Sequence, residues 1–198
     1  MLAFQDARLV LLSVPKTGTT ALETALRPHA QVQLTGHPGI KHIELRAFQR
    51  FIAPVLDRMG APRFETVAVI REPVDRLRSW YRYNARDAFI GRPDSTAKIG
   101  FGTFIEGYLA PEQPPYARIG LQSWFVQPLP DRPGIDHLFR YEAMESLLAF
   151  LSDRLRKPIA PKRMNVSPQA DTTLHPALER RLRDSLAAEI ALWETARG

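Results

Sequence analysis

The fold is decided by residues 11–26, LLSVPKTGTTALETAL, in which an apolar run stops at Pro15. A lysine, a glycine and three threonines follow, and helix-forming residues then begin. A strand, a tight loop and a helix in this order favour an anion site, because the first N–H groups of a helix lack intrahelical partners and carry partial positive charge. Nucleoside triphosphate loops read G-x-x-x-x-G-K-[ST], whereas here Lys16 precedes Gly18. The stretch predicts an anion site of another kind; the alternative is a plain turn followed by a threonine cap.

Composition narrows the classes of protein to consider. The chain has 198 residues, and 27 Lys and Arg against 21 Asp and Glu give a formal net charge of +6, which fits an anionic partner without choosing one. It has no cysteine, which excludes disulfides and thiol catalysis and fits a reducing compartment. The first apolar run, at 9–14, is too short for a signal peptide or for a membrane span of about 18 residues. We therefore expect a cytoplasmic protein without a membrane span.

Strand and helix signals alternate along the chain. Apolar runs predict buried strands at 8–14, 64–70, 135–141 and, as a short addition, 31–34. Helical spacing predicts helices at 19–26, 41–56 until Pro54, 73–85, 142–156 and along a stripe from 178 to 193. This alternation predicts an α/β fold, a three-layer α/β/α arrangement with a central, mostly parallel sheet, in a single domain over 1–198. The Pro- and Gly-rich region 86–134 is expected to form short helices and loops over one edge of the sheet.

A second signal follows the second predicted strand, where the sequence reads REPVDRLRSWYRY from Arg71 to Tyr83. Arg71 stands where the strand ends, and ligands of open α/β sheets bind at that carboxyl edge. An ATPase strand of this type would normally end in the metal-binding aspartate. Arg71 instead offers a planar fork for a phosphate, and Ser79 lies about two turns into the next helix. The alternative for Arg71 is a salt bridge at a strand end.

Together, VPKTGTTAL and REPVDRLRSWYR resemble the paired signature of sulfotransferases that use 3′-phosphoadenosine 5′-phosphosulfate (PAPS). The resemblance implies the P-loop-like sulfotransferase fold. It assigns the 5′-phosphosulfate to Lys16, Thr17, Gly18, Thr19 and Thr20. It assigns the 3′-phosphate to Arg71 and Ser79.

A weaker similarity lies at 161–168. PKRMNVSP is similar to the His-x-Asn-x-Ser stretch of the carbohydrate sulfotransferase branch. Arg163 stands at the histidine position, which leaves the roles of Asn165 and Ser167 open. The resemblance implies an acceptor hydroxyl on a small molecule or glycan, with carbohydrate favoured.

The resemblance also implies how the chemistry is divided. Lys16 would neutralise charge on the oxygen that bridges phosphate and sulfur, and no metal need be invoked, because the sulfate oxygens carry less charge than a γ-phosphate. An acceptor hydroxyl needs a base, and His42 lies where the family has its catalytic histidine. His37 and Glu44 remain alternatives for the base.

Two other functions compete with this interpretation. A P-loop nucleotide kinase or ATPase shares the fold class, and a non-catalytic polyanion binder shares the positive charge, although the sequence carries no nucleic-acid-binding signature. Aromatic residues of the irregular region either line an acceptor cleft or belong to the core: Phe101, Phe104, Tyr108, Tyr116, Trp124 and Phe125. The sequence leaves the acceptor and the oligomeric state undetermined.

Overall fold

A computed structural model describes residues 1–161 and 170–198. The described chain divides into two compact units. The first comprises residues 1–71, 122–161 and 195–198, and the second comprises residues 72–121 and 170–194. Each unit has a hydrophobic core of its own. That residues 1–198 form a single domain remains a prediction.

The first unit is built on a five-stranded sheet in the order β3-β1-β2-β4-β5. The strands are β1 (Leu2–Phe4), β2 (Leu9–Leu12), β3 (Val32–Gln33), β4 (Glu65–Ile70) and β5 (His137–Arg140). β2 pairs with β4, and β4 with β5, in parallel, while β1 runs antiparallel to both of its neighbours. The protein is therefore an α/β protein with a mixed, mostly parallel central sheet, as the alternating pattern predicts.

The predicted strands are confirmed with shorter bounds, and one strand was not predicted. β2 and β4 are buried on both faces, with Leu9 and Val10 on one strand and Val67 and Ala68 on the other each 0% exposed. Continuous burial explains why these strands appear as unbroken apolar runs. β1 escaped prediction because a three-residue strand shows no period.

Ten α-helices fall within residues 1–161 and 170–198. They are α1 (Thr19–Leu26), α2 (Pro38–Lys41), α3 (Leu45–Ala47), α4 (Ala53–Asp57), α5 (Pro73–Asn84), α6 (Phe101–Leu109), α7 (Gln122–Val126), α8 (Met144–Leu155), α9 (Pro176–Ser185) and α10 (Ala187–Thr195). The region 86–134 holds short helices and loops, as predicted. None of the helices in these ranges is both long and apolar enough to cross a bilayer.

The helix predicted over 41–56 differs from the prediction at both ends. The backbone leaves the helical region at His42, with φ −97° and ψ 49°, and at Glu44, with φ −76° and ψ 158°, so helical structure resumes only at α3. A π-helical turn, Phe48–Ile52, then joins α3 to α4. The segment passes Pro54 because this residue lies in the first turn of α4, where its missing N–H costs little.

The core of the first unit lies between one face of the sheet and two helices. α1 contributes Leu22 and Leu26, and α8 contributes Leu147 and Leu151. The sheet side of this cluster consists of Leu2, Phe4, Leu9, Leu11, Val67, Val69 and Phe139. The leucine stripe predicted in 142–156 is thus confirmed as a core contact, and it fixes α1 against the sheet.

The second unit has a largely aromatic core. Phe101, Phe104 and Tyr108 of α6 are 3%, 0% and 8% exposed and pack with Tyr81 of α5. Leu182 of α9 belongs to the same cluster. Phe101, Phe104 and Tyr108 are therefore core residues, which was one of the two roles open to them.

Candidate functional site

The loop between β2 and α1 is held from within by Thr17. This residue is 0% exposed, and its Oγ1 donates a hydrogen bond to the Val14 carbonyl at 2.9 Å. The hydroxyl of Thr17, a residue that the resemblance assigns to the 5′-phosphosulfate, thus donates its proton within the loop. The hydroxyls of Thr19 and Thr20 belong to half-buried side chains at the start of α1.

Lys16 and Gly18 both adopt left-handed backbone conformations, each with φ 72°. For lysine this conformation carries a strain of roughly 1–2 kcal/mol, so the surrounding contacts must hold the turn. One of these contacts is visible. A guanidinium nitrogen of Arg71 donates to the main-chain oxygen of Lys16 at 3.2 Å.

Gly18 is required both for its conformation and for its close contact with an aromatic ring. A Cβ atom at this position would lie 3.1 Å from Cε2 of Tyr141. Gly18 is also the N-cap of α1, and no side chain caps the helix. Because no side chain caps the helix, its first N–H groups, those of Thr19 and Thr20, have neither an intrahelical partner nor a side-chain cap. This arrangement fits an anion.

Arg71 follows β4 directly, at the carboxyl edge of the sheet. Its guanidinium carbon lies 4.4 Å from the centroid of the Tyr141 ring. Its main chain is held by Gln122, which is 1% exposed: the Arg71 N–H donates to the Gln122 Oε1 at 2.9 Å, and the Gln122 Nε2 donates back to the Arg71 oxygen at 2.8 Å. Tyr141 therefore touches both predicted motifs, through Gly18 on one and Arg71 on the other.

The His42 side chain is hydrogen-bonded to Ser13, the residue that directly follows β2. Its Nδ1 lies 2.6 Å from the carbonyl oxygen of Ser13. A carbonyl oxygen only accepts, so Nδ1 carries the proton and Nε2 is the basic nitrogen of the neutral ring. Burial lowers the pKa of His42, opposed in part by the hydrogen bond to Ser13. His42 is therefore neutral near pH 7, which is the form that a general base requires.

A buried carboxylate contacts both Ser13 and the residue that precedes His42. Glu23 of α1 is 1% exposed, and its Oε1 accepts from the Ser13 hydroxyl at 2.7 Å. The Lys41 ammonium lies 3.1 Å from Oε2 of the same carboxylate. Because Lys41 directly precedes His42, the pair fixes the chain that carries the imidazole. Burying Glu23 is tolerable since its charge is compensated.

The two alternative bases have different surroundings. The exposed ring of His37 caps α2, since its Nδ1 accepts from the Gly39 N–H at 3.2 Å. The unprotonated nitrogen of the neutral His37 ring is therefore Nδ1, which already accepts this hydrogen bond, whereas in His42 the unprotonated nitrogen is Nε2. Glu44 is exposed and stands at the N-cap position of α3 without a side-chain cap bond.

Ser79 belongs to the second unit. It lies on α5 and is 7% exposed. Arg71 is in the first unit, so the two predicted 3′-phosphate ligands are placed in different units. Arg163, Asn165 and Ser167 lie outside the described residues.

Sequence reasoning missed Tyr141, Gln122, Ser13 and Glu23. Tyr141 carried a usable signal, because it is the last residue of the strand predicted at 135–141 and so belongs to the same sheet edge as Arg71; in the structure it directly follows β5. The other three act through tertiary contacts that leave no local pattern. No family model, curated protein or solved structure matches this chain.

Proposed function

We propose that this protein is a PAPS-dependent sulfotransferase that transfers a sulfuryl group to an acceptor hydroxyl, giving PAP and a sulfated product. One observation carries the proposal: the uncapped start of α1 and the Lys16 turn are joined to Arg71 at the carboxyl edge of two parallel strands. The Arg71 guanidinium, the main chain of the Lys16 turn and the first N–H groups of α1 then lie at the edge of the sheet where α/β proteins bind anions. We further propose the three-layer sulfotransferase fold and a cytoplasmic location, with a carbohydrate as the first acceptor class to test.

The residues present fit the 5′-phosphosulfate. Gly18 exposes its backbone, and a side chain at this position would be strained by the positive φ and would crowd the Tyr141 ring. The N–H groups of Thr19 and Thr20 would bind the 5′-phosphate. The Lys16 ammonium would stabilise negative charge on the bridging oxygen as its bond to sulfur weakens. Arg71 and Ser79 are proposed for the 3′-phosphate.

The acceptor side of the reaction is assigned to His42. The bond between sulfur and the bridging oxygen breaks, a bond between sulfur and the acceptor oxygen forms, and the acceptor proton passes to Nε2 of His42. The Ser13 carbonyl holds the opposite nitrogen and stabilises the imidazolium that results. The protein would accelerate the reaction by positioning and by charge stabilisation.

Thermal melting with PAP, PAPS, ATP–Mg and no ligand tests the proposal. A ligand at about 100 times its Kd stabilises the native state by about 2.7 kcal/mol, which raises Tm by roughly 5–10 °C for a chain of this size. We expect PAP and PAPS to give this shift and ATP–Mg to give little. A shift with ATP–Mg alone would support a nucleotide kinase or ATPase instead.

Activity separates an enzyme from a polyanion binder. We expect release of PAP from PAPS to depend on an added acceptor hydroxyl and to disappear in Lys16→Ala. A non-catalytic binder would release no PAP, its polyanion binding would fall steeply with salt, and Lys16→Ala would change little. Arg118→Ala, at an exposed site in the second unit, serves as a charge-matched control.

A further inference from the structure

The helical segment from Leu45 to Asp57 carries large apolar side chains that face solvent. Phe51, Val55 and Met59 are 63%, 60% and 40% exposed. Their four-residue spacing places them on one side of the helix and its last turn, over about 12 Å. A single exposed apolar side chain is ordinary, whereas a contiguous set is typical of a docking surface. We call these three residues the exposed row.

The same segment also contributes side chains to the core. Leu45, Phe48 and Leu56 are 0%, 3% and 2% exposed. The helix is therefore apolar on two sides, and its fold is secured without the exposed row. Stability of the monomer does not explain why the row is apolar.

Arginines flank the exposed row. Arg46, Arg50 and Arg58 are exposed, and the guanidinium carbon of Arg50 lies 5.6 Å from the centroid of the Phe51 ring. Arg50 and Arg58 each directly precede a member of the row in the chain. Residues 45–59 contain these three arginines and one acidic residue, Asp57, so the net charge of the segment is 3 − 1 = +2.

We propose that the exposed row and its flanking arginines dock on an anionic lipid bilayer. Basic amphipathic helices lie in the plane of the interface with apolar side chains among the acyl chains, and anionic lipids attract each nearby arginine by about 1 kcal/mol. The net charge of +6 adds long-range attraction. A symmetric contact between two copies centred on the row would instead bring Arg50 and Arg58 against the same arginines, which is unfavourable. This proposal is independent of the proposed reaction.

Vesicle flotation with the full chain tests it. Vesicles contain phosphatidylcholine alone or mixed with phosphatidylglycerol. We expect binding to the mixed vesicles, and a loss of about tenfold or more in the partition coefficient for the F51S/V55S variant. Neutralising Arg50 and Arg58 to Gln should cost about fivefold for each charge. Ile90→Ser, at an apolar side chain that is 56% exposed elsewhere in the chain, is the matched control and should bind like the wild type.

The outcomes separate the possibilities. Equal binding by wild type and F51S/V55S would show adsorption by charge alone and would overturn the proposal. Failure of the wild type to float, together with a concentration-dependent dimer in light scattering that F51S/V55S abolishes, would make the exposed row a protein interface and would also overturn it. Thermal melting of each variant confirms that these surface substitutions leave the fold intact.

Discussion

A guanidinium nitrogen of Arg71 donates a hydrogen bond to the main-chain oxygen of Lys16 at 3.2 Å, linking positions 55 residues apart. The two residues follow β2 and β4, which are adjacent and parallel. The strand-end arginine thus helps to hold the left-handed turn at Lys16, with φ 72°. The loop motif and the arginine motif form one structural element, so substitutions in either should affect the other.

Lys16→Gly separates strain from function. Glycine adopts a positive φ without penalty, so the free energy of unfolding should stay unchanged or rise by up to about 1 kcal/mol. Loss of the ammonium should lower kcat/KM for sulfuryl transfer by about 100-fold or more. Urea unfolding and PAP-release kinetics measure the two quantities. Normal kinetics in a stable variant would contradict the role proposed for Lys16.

Tyr141 is expected to matter through its ring. The Arg71 guanidinium stacks on this ring at 4.4 Å, a contact worth about 0.5–2 kcal/mol. Tyr141→Leu should therefore weaken PAP binding several-fold, as measured by calorimetry, because Arg71 loses its support. Tyr141→Phe keeps the ring and is the control. Equal affinities for the Leu and Phe variants would show that the stacking does not position Arg71.

The lowered pKa of His42 should determine how kcat/KM and stability depend on pH. Burial lowers its pKa below 6.5 in the folded protein, so kcat/KM should fall on the acid side only below about pH 6.5 as the base becomes protonated. The unfolded chain binds this proton more readily, so stability rises with pH through the same window. His42→Ala should nearly abolish transfer while PAP still raises Tm. An acid limb that survives in this variant would place the base elsewhere, with Glu44 the next residue to test.

The sequence predicted those parts of the site that have a local pattern. β2 and β4 are continuous apolar runs, and the residues at their ends, Lys16 and Arg71, therefore fall on one sheet edge without further information. The contact of Tyr141 with both motifs depends on the register of β5 beside β4, which hydrophobic spacing does not give. The bond between His42 and Ser13 spans 29 residues and was equally invisible.

The same limit applies to the prediction of secondary structure, which depends on local patterns. α1 was predicted with its observed bounds because a glycine and a run of helix formers mark it on the sequence. The helix predicted over 41–56 began too early because hydrophobic spacing does not show that His42 leaves the helical conformation and forms a tertiary hydrogen bond with Ser13. Phe101 and Phe104 were open to two interpretations because aromatic residues serve cores and clefts alike.

Glu23 should be needed both for stability and for catalysis. Glu23→Gln removes the charge that compensates Lys41, whose side chain is 17% exposed, and should lower the free energy of unfolding by about 2–3 kcal/mol. Because Ser13 and Lys41 hold His42, kcat should fall while PAP affinity changes little. Arg27→Gln is the control, since its side chain is 49% exposed and its contact with Glu23 is 4.0 Å long. A normal kcat in Glu23→Gln would show that His42 is positioned without this network.

Asp136 gives a stability prediction that does not depend on function. Its carboxylate accepts from Arg63 at 2.6 and 3.0 Å and from the N–H of Thr66 at 2.8 Å. Burial opposes ionisation, but these hydrogen bonds outweigh it and lower the pKa of Asp136 to about 2. The resulting stabilisation is complete above the ordinary pKa of 3.8 and disappears as the pH falls towards 2.

The Asp136→Asn variant should therefore be less stable than the wild type by about 1–3 kcal/mol at neutral pH, because the buried Thr66 and the half-exposed Arg63 both lose a charged acceptor. The difference should shrink between about pH 4 and pH 2, where the wild-type carboxylate itself becomes protonated. Asp131→Asn is the matched control: this residue is exposed, and asparagine tolerates its φ of 59°. Urea unfolding across this pH range measures both variants. A destabilisation that stays constant down to pH 2 would mean that the negative charge of Asp136 does not contribute to stability. The variant would then be destabilised only by the change in hydrogen-bonding geometry.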